Sequence, residues 1–242
     1  MFFEKFRQKC KEKRRHLRRV ENIKKLSIDN DVDVAVEDLA SVRIKISGKN
    51  NFVKIGKLSS NTCGKISIKI SGDNNKLIIE PGLYVARNLG ILIGGGEHPN
   101  FGFVHNCSCV IGKNVGMEQV NVFTYNSNSS IVIGDGCMFA FGITLYHTDG
   151  HPILDYQTKK IINKVGEMNI GNHVWVGACA TLLKNTKIPD NSIVGWGSVV
   201  SGKFDVDAGK GGVVLAGNPA RIVKTGVDWD ACGANGYVQN EI

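Results

Sequence analysis

Between Thr144 and Asn163 the sequence reads TLYHTDGHPILDYQTKKIIN, a stretch rich in groups that move protons. His147 and His151 carry imidazoles, which ordinarily titrate near neutrality, so either could take a proton from a hydroxyl at physiological pH. Asp149 and Asp155 stand close by, and a carboxylate can orient an imidazole and stabilise its charged form. No serine or cysteine occupies a G-x-S-x-G motif, so the sequence marks no covalent nucleophile.

The same stretch interrupts a regular pattern. Downstream, aliphatic residues recur every six positions at Ile170, Val176, Leu182, Ile188, Val194 and Val200. Upstream, Ile133, Phe139 and Leu145 keep that step, but continuing it reaches His151, Gln157 and Asn163, none of them aliphatic. Four residues after each downstream aliphatic comes a small or β-branched residue: Val174, Ala180, Thr186, Ser192, Ser198. Glycine often follows the aliphatic directly, at 112, 134, 171, 177 and 195, where it is expected to serve turns of positive φ. KISGKNNFVKIG (45–56) and KISGDNNKLIIE (69–80) also match at an offset of 24. Short β-rich units at a fixed period predict a solenoid of stacked parallel strands. Three six-residue strands would make one 18-residue triangular turn, with strands about 4.8 Å apart.

Outside this body the charge is uneven. The net charge is +8; residues 1–26 hold eleven Lys or Arg against three Glu, and the remainder balances at 19 against 19. Residues 1–26 contain neither Gly nor Pro and predict a helix, with Phe3, Phe6, Cys10, Leu17 and Val20 on a narrow apolar stripe. Such a helix either docks on its own domain or neighbouring copies, or lies reversibly on an anionic membrane surface. Nucleic acid is not an expected partner, because the helix carries no recognised motif and the body is neutral. Seven cysteines in no disulfide-framework spacing, the absence of an apolar run of about 18 residues, and the lack of a signal-peptide pattern predict reduced thiols and a cytoplasmic protein. Cys137 and Cys179 fall within the repeat and are expected to pack as small hydrophobes.

Three segments in order, TDGHPI, then IGNHVWVGACATLLKNTKIPDNSIVGWGSVV, then AGNPARIVK, resemble the hexapeptide-repeat acetyltransferases. They are similar to the galactoside and maltose acetyltransferases and to the surface-polysaccharide O-acetyltransferases. The resemblance covers about residues 105–224; residues 1–90 match only in general style. It implies an all-β fold, a left-handed parallel β-helix over residues 27–203, preceded by the helix of residues 1–26. An active-site loop, 147–169, would be extruded, and 204–242 would form a C-terminal cap. It further implies a homotrimer, acetyl-CoA as co-substrate and no metal. The acceptor would be a carbohydrate hydroxyl, on a bacterial surface polysaccharide or its precursor.

Residue by residue, the resemblance assigns the general base to His151, in TDGHPI and 24 residues before Trp175. Asn121, or alternatively Asn126, would stabilise the oxyanion. Trp175, Ala178 and Trp196 would line the CoA groove, Ser201 and Lys203 would follow the last regular coil, and Arg221 and Lys224 would meet CoA phosphates. Trp175 could equally cap the coil, and Arg221 and Lys224 could be simply solvated. Three rival readings stand beside this one: a sugar N-acetyltransferase; a γ-carbonic-anhydrase-like zinc enzyme using three of His98, His105, His147 and His151; and a non-enzymatic β-helix.

Overall fold

In a computed structural model the described residues are 2–96, 102–205 and 211–231, with the side chains of 2–10, 12, 13 and 36 also outside the description. His98 and Cys232 therefore lie outside the described residues, as do the side chains of Phe3, Phe6 and Cys10.

The inward aliphatics organise three columns of parallel strands that the chain visits in turn. The first column holds Asp31–Val34, Phe52–Ile55, Lys76–Ile79, Ser108–Ile111, Ser130–Ile133, Glu167–Ile170 and Lys187–Ile188. Its core ladder Ile55, Ile79, Ile111, Ile133, Ile170 and Ile188 is at most 3% exposed. The second column stacks Val85, Met117, Phe139, Val176, Val194 and Leu215, and the third stacks Ile91, Val122, Leu145, Leu182 and Val200. Fully burying one such side chain stabilises the fold by about 1.5–3 kcal/mol. The sixfold step therefore reads out as inward positions. Val176 pairs with Val194 and Leu182 with Val200, each 18 residues on. The 24-residue repeat is a register too, with Ile46 opposite Ile70 and Val53 opposite Leu77.

The small positions Val174, Ala180, Thr186, Ser192 and Ser198 are all buried. Their hydroxyls do more than leave room: Thr186 Oγ1 donates to the Val200 carbonyl at 3.0 Å, and Ser192 Oγ accepts from the Val213 amide at 3.1 Å. The glycine expectation is corrected. Positive φ falls instead on corner residues such as Asn114, Gly136, His173 and Asn191. Glycine is required at Gly134 and Gly171 for close approach, since a Cβ there would come within 2.6 Å of backbone in the next coil. Cys137 packs in the core, but Cys179 is exposed, at a corner of φ 58°.

A ladder of amides, not evident from spacing, closes the upper corner. Asn51 Nδ2 donates to Asn30 Oδ1 at 2.9 Å, and Asn75 Nδ2 donates to Asn51 Oδ1 and to the Val104 carbonyl, both at 3.0 Å. Asn75 Oδ1 in turn accepts the Cys107 amide at 3.0 Å.

The N-terminal helix, α1 (Phe2–Leu26), docks through its last turns. Ile23 and Leu26 pack against the core, and Arg19 donates to the Leu39 and Ala40 carbonyls at 2.5 Å. Leu17, expected on the apolar stripe, is 53% exposed. No described helix is long and apolar enough to cross a membrane. Two boundaries shift. Strand Glu167–Ile170 begins inside the span 147–169, and His147 and Thr148 are buried, so the segment leaving the body is 149–166. Downstream of residue 203 the parallel stack continues: Gly212–Gly217 pairs with Ile193–Val194, then turns at a cis Asn218–Pro219 bond into the antiparallel strand Ala220–Val227.

Asn75→Ala strands a buried amide and a buried carbonyl, so it should cost about 3 kcal/mol in urea unfolding, while exposed Lys54→Ala should cost under about 0.5 kcal/mol. Equal midpoints for the two variants would show that the amide ladder contributes nothing.

Candidate active site

Leu145 and Leu182 are in register though 37 residues apart, instead of the regular 18, so the surplus chain has to leave the stack between them. It forms a short hairpin. Leu154 bridges Ile161 in antiparallel fashion, and the Ile162 amide donates to the Ile153 carbonyl at 2.9 Å. Asp155 caps its turn, accepting from the Thr158 amide at 2.7 Å and hydroxyl at 2.8 Å, and these bonds hold its carboxyl below the usual range. Asp155 is thus engaged in the loop's own fold.

The two histidines have opposite environments. His147 is fully buried, and its Nε2 donates to the Gly166 carbonyl at 3.0 Å, across the base of the loop. Burial lowers its pKa, the Gly166 bond opposes this, and the nearby Lys184 charge lowers it further. In this neutral tautomer Nδ1 is an acceptor, and it is buried without a hydrogen-bond partner. His151 is exposed, at the rim of a cavity of about 320 Å³ whose lining includes Asn126, Asp149, Gly150, Pro152 and Asn163. His147 therefore closes the loop base, and His151 faces solvent where a substrate hydroxyl could reach it.

Asp149 does not serve as a dyad carboxylate in this geometry. It accepts Lys184 Nζ at 2.6 Å and Asn163 Nδ2 at 2.7 Å. Partial burial pushes its carboxyl up, and the bonds from Lys184 and Asn163 outweigh that, leaving it below its ordinary value.

Asn121 sits mid-strand on an outer face, opposite Gly90 and Thr144, and does not line the His151 cavity. Asn126 lines it, because the strand ends at Thr124 and the chain then turns towards the loop base. At about 3.3 Å per residue, the five-residue step from Asn121 to Asn126 would amount to about 16 Å of fully extended chain. The Asn126 Oδ1 is buried with no hydrogen-bond partner.

The expected CoA residues spread over two corners. Trp175 is 37% exposed and lines a groove of about 470 Å³ with Tyr84, Ala86, Gly116, Met138 and Ala140. Ala178 is buried, although it is not part of the core cluster that holds Val176 and Ala180. Trp196 is 69% exposed and meets Phe141 edge-on at 5.2 Å. Ser201 is exposed just past the end of the third column, and Lys203 is exposed where the chain bridges Lys187 of the first column, paired with Asp205 at 3.0 Å. Arg221 and Lys224 are exposed on the last strand. Trp229 was not expected near this groove. Its ring stacks on His173 at 4.2 Å, its Nε1 donates to the His173 carbonyl at 2.7 Å, and it lies 6.1 Å from Trp175. Among the described residues no group of three or more His, Cys, Asp or Glu is placed to hold a metal, and His105 faces Asp73 at 3.5 Å.

A stack of parallel strands that sheds a histidine-bearing loop, and that carries an apolar groove on a different column, has the arrangement expected of the hexapeptide-repeat acyltransferases. No protein-family model matches the chain. The polysialic acid O-acetyltransferase of Neisseria meningitidis is 32% identical over 161 residues, 65% of this chain and 67% of that protein. A polysialic acid O-acetyltransferase of Escherichia coli O1:K1 / APEC is 33% identical over 100 residues; the match spans 41% of this chain and about a third (31%) of that relative. The crystal structure of the polySia specific acetyltransferase NeuO superposes with a TM-score of 0.61 at 25% identity, over 84% of this chain and 88% of that one. The chain belongs to the hexapeptide-repeat acetyltransferases, among the sugar O-acetyltransferases.

The depressed His147 pKa sets a pH dependence of stability. Above the ordinary value of 6.5 the residue is neutral folded or unfolded and has no effect. As pH falls below 6.5 the unfolded chain takes up the proton first, so stability is lost until the folded-state pKa is passed. The melting temperature should fall between pH 7 and pH 5, and His147→Asn should flatten that part of the curve; an unchanged slope would exclude His147 as its source.

Proposed function

We propose that the protein transfers an acetyl group from acetyl-CoA to a sugar hydroxyl of an anionic polysaccharide, as a left-handed parallel β-helix assembled into a homotrimer. The observation that carries this reading is the exposed His151, placed beside a cavity by a loop that leaves an otherwise unbroken stack. The acceptor hydroxyl gives its proton to the His151 imidazole as its oxygen attacks the thioester carbonyl carbon. The tetrahedral oxyanion needs a donor, and the amide of Asn126 is the candidate lining the same cavity, in place of Asn121. Collapse breaks the C–S bond, and the imidazolium returns its proton to the departing thiolate. Trp175 lines the groove that would take the donor, and on this reading Ala178, Trp196, Ser201 and Lys203 would extend it while Arg221 and Lys224 would meet the CoA phosphates.

An anionic acceptor is supported by relatives named for polysialic acid and by charge on the third column. Lys45, Lys69, Leu92, Phe123 and Tyr146 are successive partners in one outward row, which leads from basic residues to an aromatic cluster beside the loop. Phe123, Tyr125 and Tyr146 lie 5.9–6.4 Å apart in that cluster, surfaces suited to a sugar face.

Thioester cleavage should be measured with polysialic acid, a neutral polysaccharide and an amino-sugar nucleotide. Turnover with the first, and a kcat about 10²–10⁴ lower in His151→Ala with acetyl-CoA binding retained, is the expected result. Turnover with the amino sugar alone would make the enzyme an N-acetyltransferase, and an active His151→Ala would remove the base assignment. Light scattering should give three times the chain mass; a fully active monomer would overturn the trimer.

A further inference from the structure

We propose that Lys184 and Asn163 are positioning residues, which act through Asp149 to hold the turn bearing His151 in register with the strand stack. This rests on the reading of His151 as the base.

The base needs a fixed position, yet its side chain is exposed on a loop. Gly150, immediately before it, takes a left-handed φ of 75°, a conformation with a wide choice of alternatives when glycine supplies it. Something outside the turn must select the conformer. Asn163, on the returning leg, does so with both ends of its amide. Its Oδ1 accepts the Ile153 amide at 2.8 Å, and its Nδ2 donates to the His151 carbonyl at 2.9 Å and to Asp149 Oδ2 at 2.7 Å. One amide thus grips the chain two residues before His151, at His151 and two residues after it.

The loop cannot fix this cradle by itself, because both legs leave the body together. Lys184 supplies the link. It directly follows strand Thr181–Leu183, which is paired on both sides, with Ile143–Tyr146 and with Val199–Val200. Its ammonium reaches Asp149 Oδ2 at 2.6 Å on the outgoing leg and donates to the Asn163 carbonyl at 3.0 Å on the returning leg. The Lys184 side chain is 18% exposed and that of Asp149 30%, so the pair is largely shielded from water and its geometry is enforced more firmly than that of a surface pair. A small displacement of a catalytic group can lower a rate by about a hundredfold.

Three variants, Lys184→Met, Asn163→Ala and His151→Ala, should be compared in steady-state kinetics. The first two should lower kcat about 10–100-fold, with KM for acetyl-CoA within about twofold of wild type, because the donor groove lies elsewhere. Lys184→Arg, which can still reach the carboxylate, should restore much of the rate. Lys184→Met/Asn163→Ala should be little worse than either single variant, since both act on one turn. Should Lys184→Met fail to fold, Asn163→Ala, which keeps the ion pair, decides alone. An inactive His151→Ala beside wild-type kcat in the positioning variants would overturn the clamp and leave the base assignment standing, as would a loss confined to KM. An active His151→Ala would overturn both.

Discussion

Register is the constraint on which this molecule depends. Each circuit of the chain must return to the same three columns, with an inward side chain above the corresponding side chain of the previous circuit. The strand backbones bond to the circuits above and below, so no circuit can slip without turning its aliphatic residues outward. Circuits are free to differ in length only at their corners. Along the first column the core residues Val53, Leu77, Cys109, Ile131 and Met168 remain in line although the intervening chain varies widely. Surplus residues are expelled sideways, and the candidate site is made from what is expelled.

This explains how a candidate active site coexists with so repetitive a core. Leu145 and Leu182 stay paired across the insertion, and Ile131 stays paired with Met168, so the loop does not disturb the ladder that carries it. The loop's base is sealed by His147, whose burial keeps it neutral, while its outer turn exposes His151. Identical side chains four residues apart therefore differ in chemistry because one is desolvated and the other is not.

The corners show a related economy. Left-handed conformations recur at matching places in successive circuits, and asparagine supplies many of them, at Asn50, Asn74, Asn106 and Asn128. Glycines next to the inward residues answer a different need, the approach of one backbone to the next. His173 combines a left-handed corner with a stacking partner, Trp229, which returns from the far end of the described chain to flank Trp175.

Short-range chemistry was legible in the sequence. The sixfold step marked Val176, Leu182, Val194 and Val200 as inward, because in a strand stack burial follows local position, and the break in that step marked the loop with His151. Glycine spacing alone misled about positive φ, since close approach and left-handed turns both select glycine. Contacts between circuits were not legible. Asn126 rather than Asn121 meets the His151 cavity, and Lys184, Asp149 and Asn163 converge from three places in the chain. No sequence interval encodes such meetings when circuit lengths differ. The sequence by itself determined which residues face the core and where the stack opens; tertiary structure decided which residues meet at the opening, because stacking brings together groups whose separation along the chain is set by the loops between them.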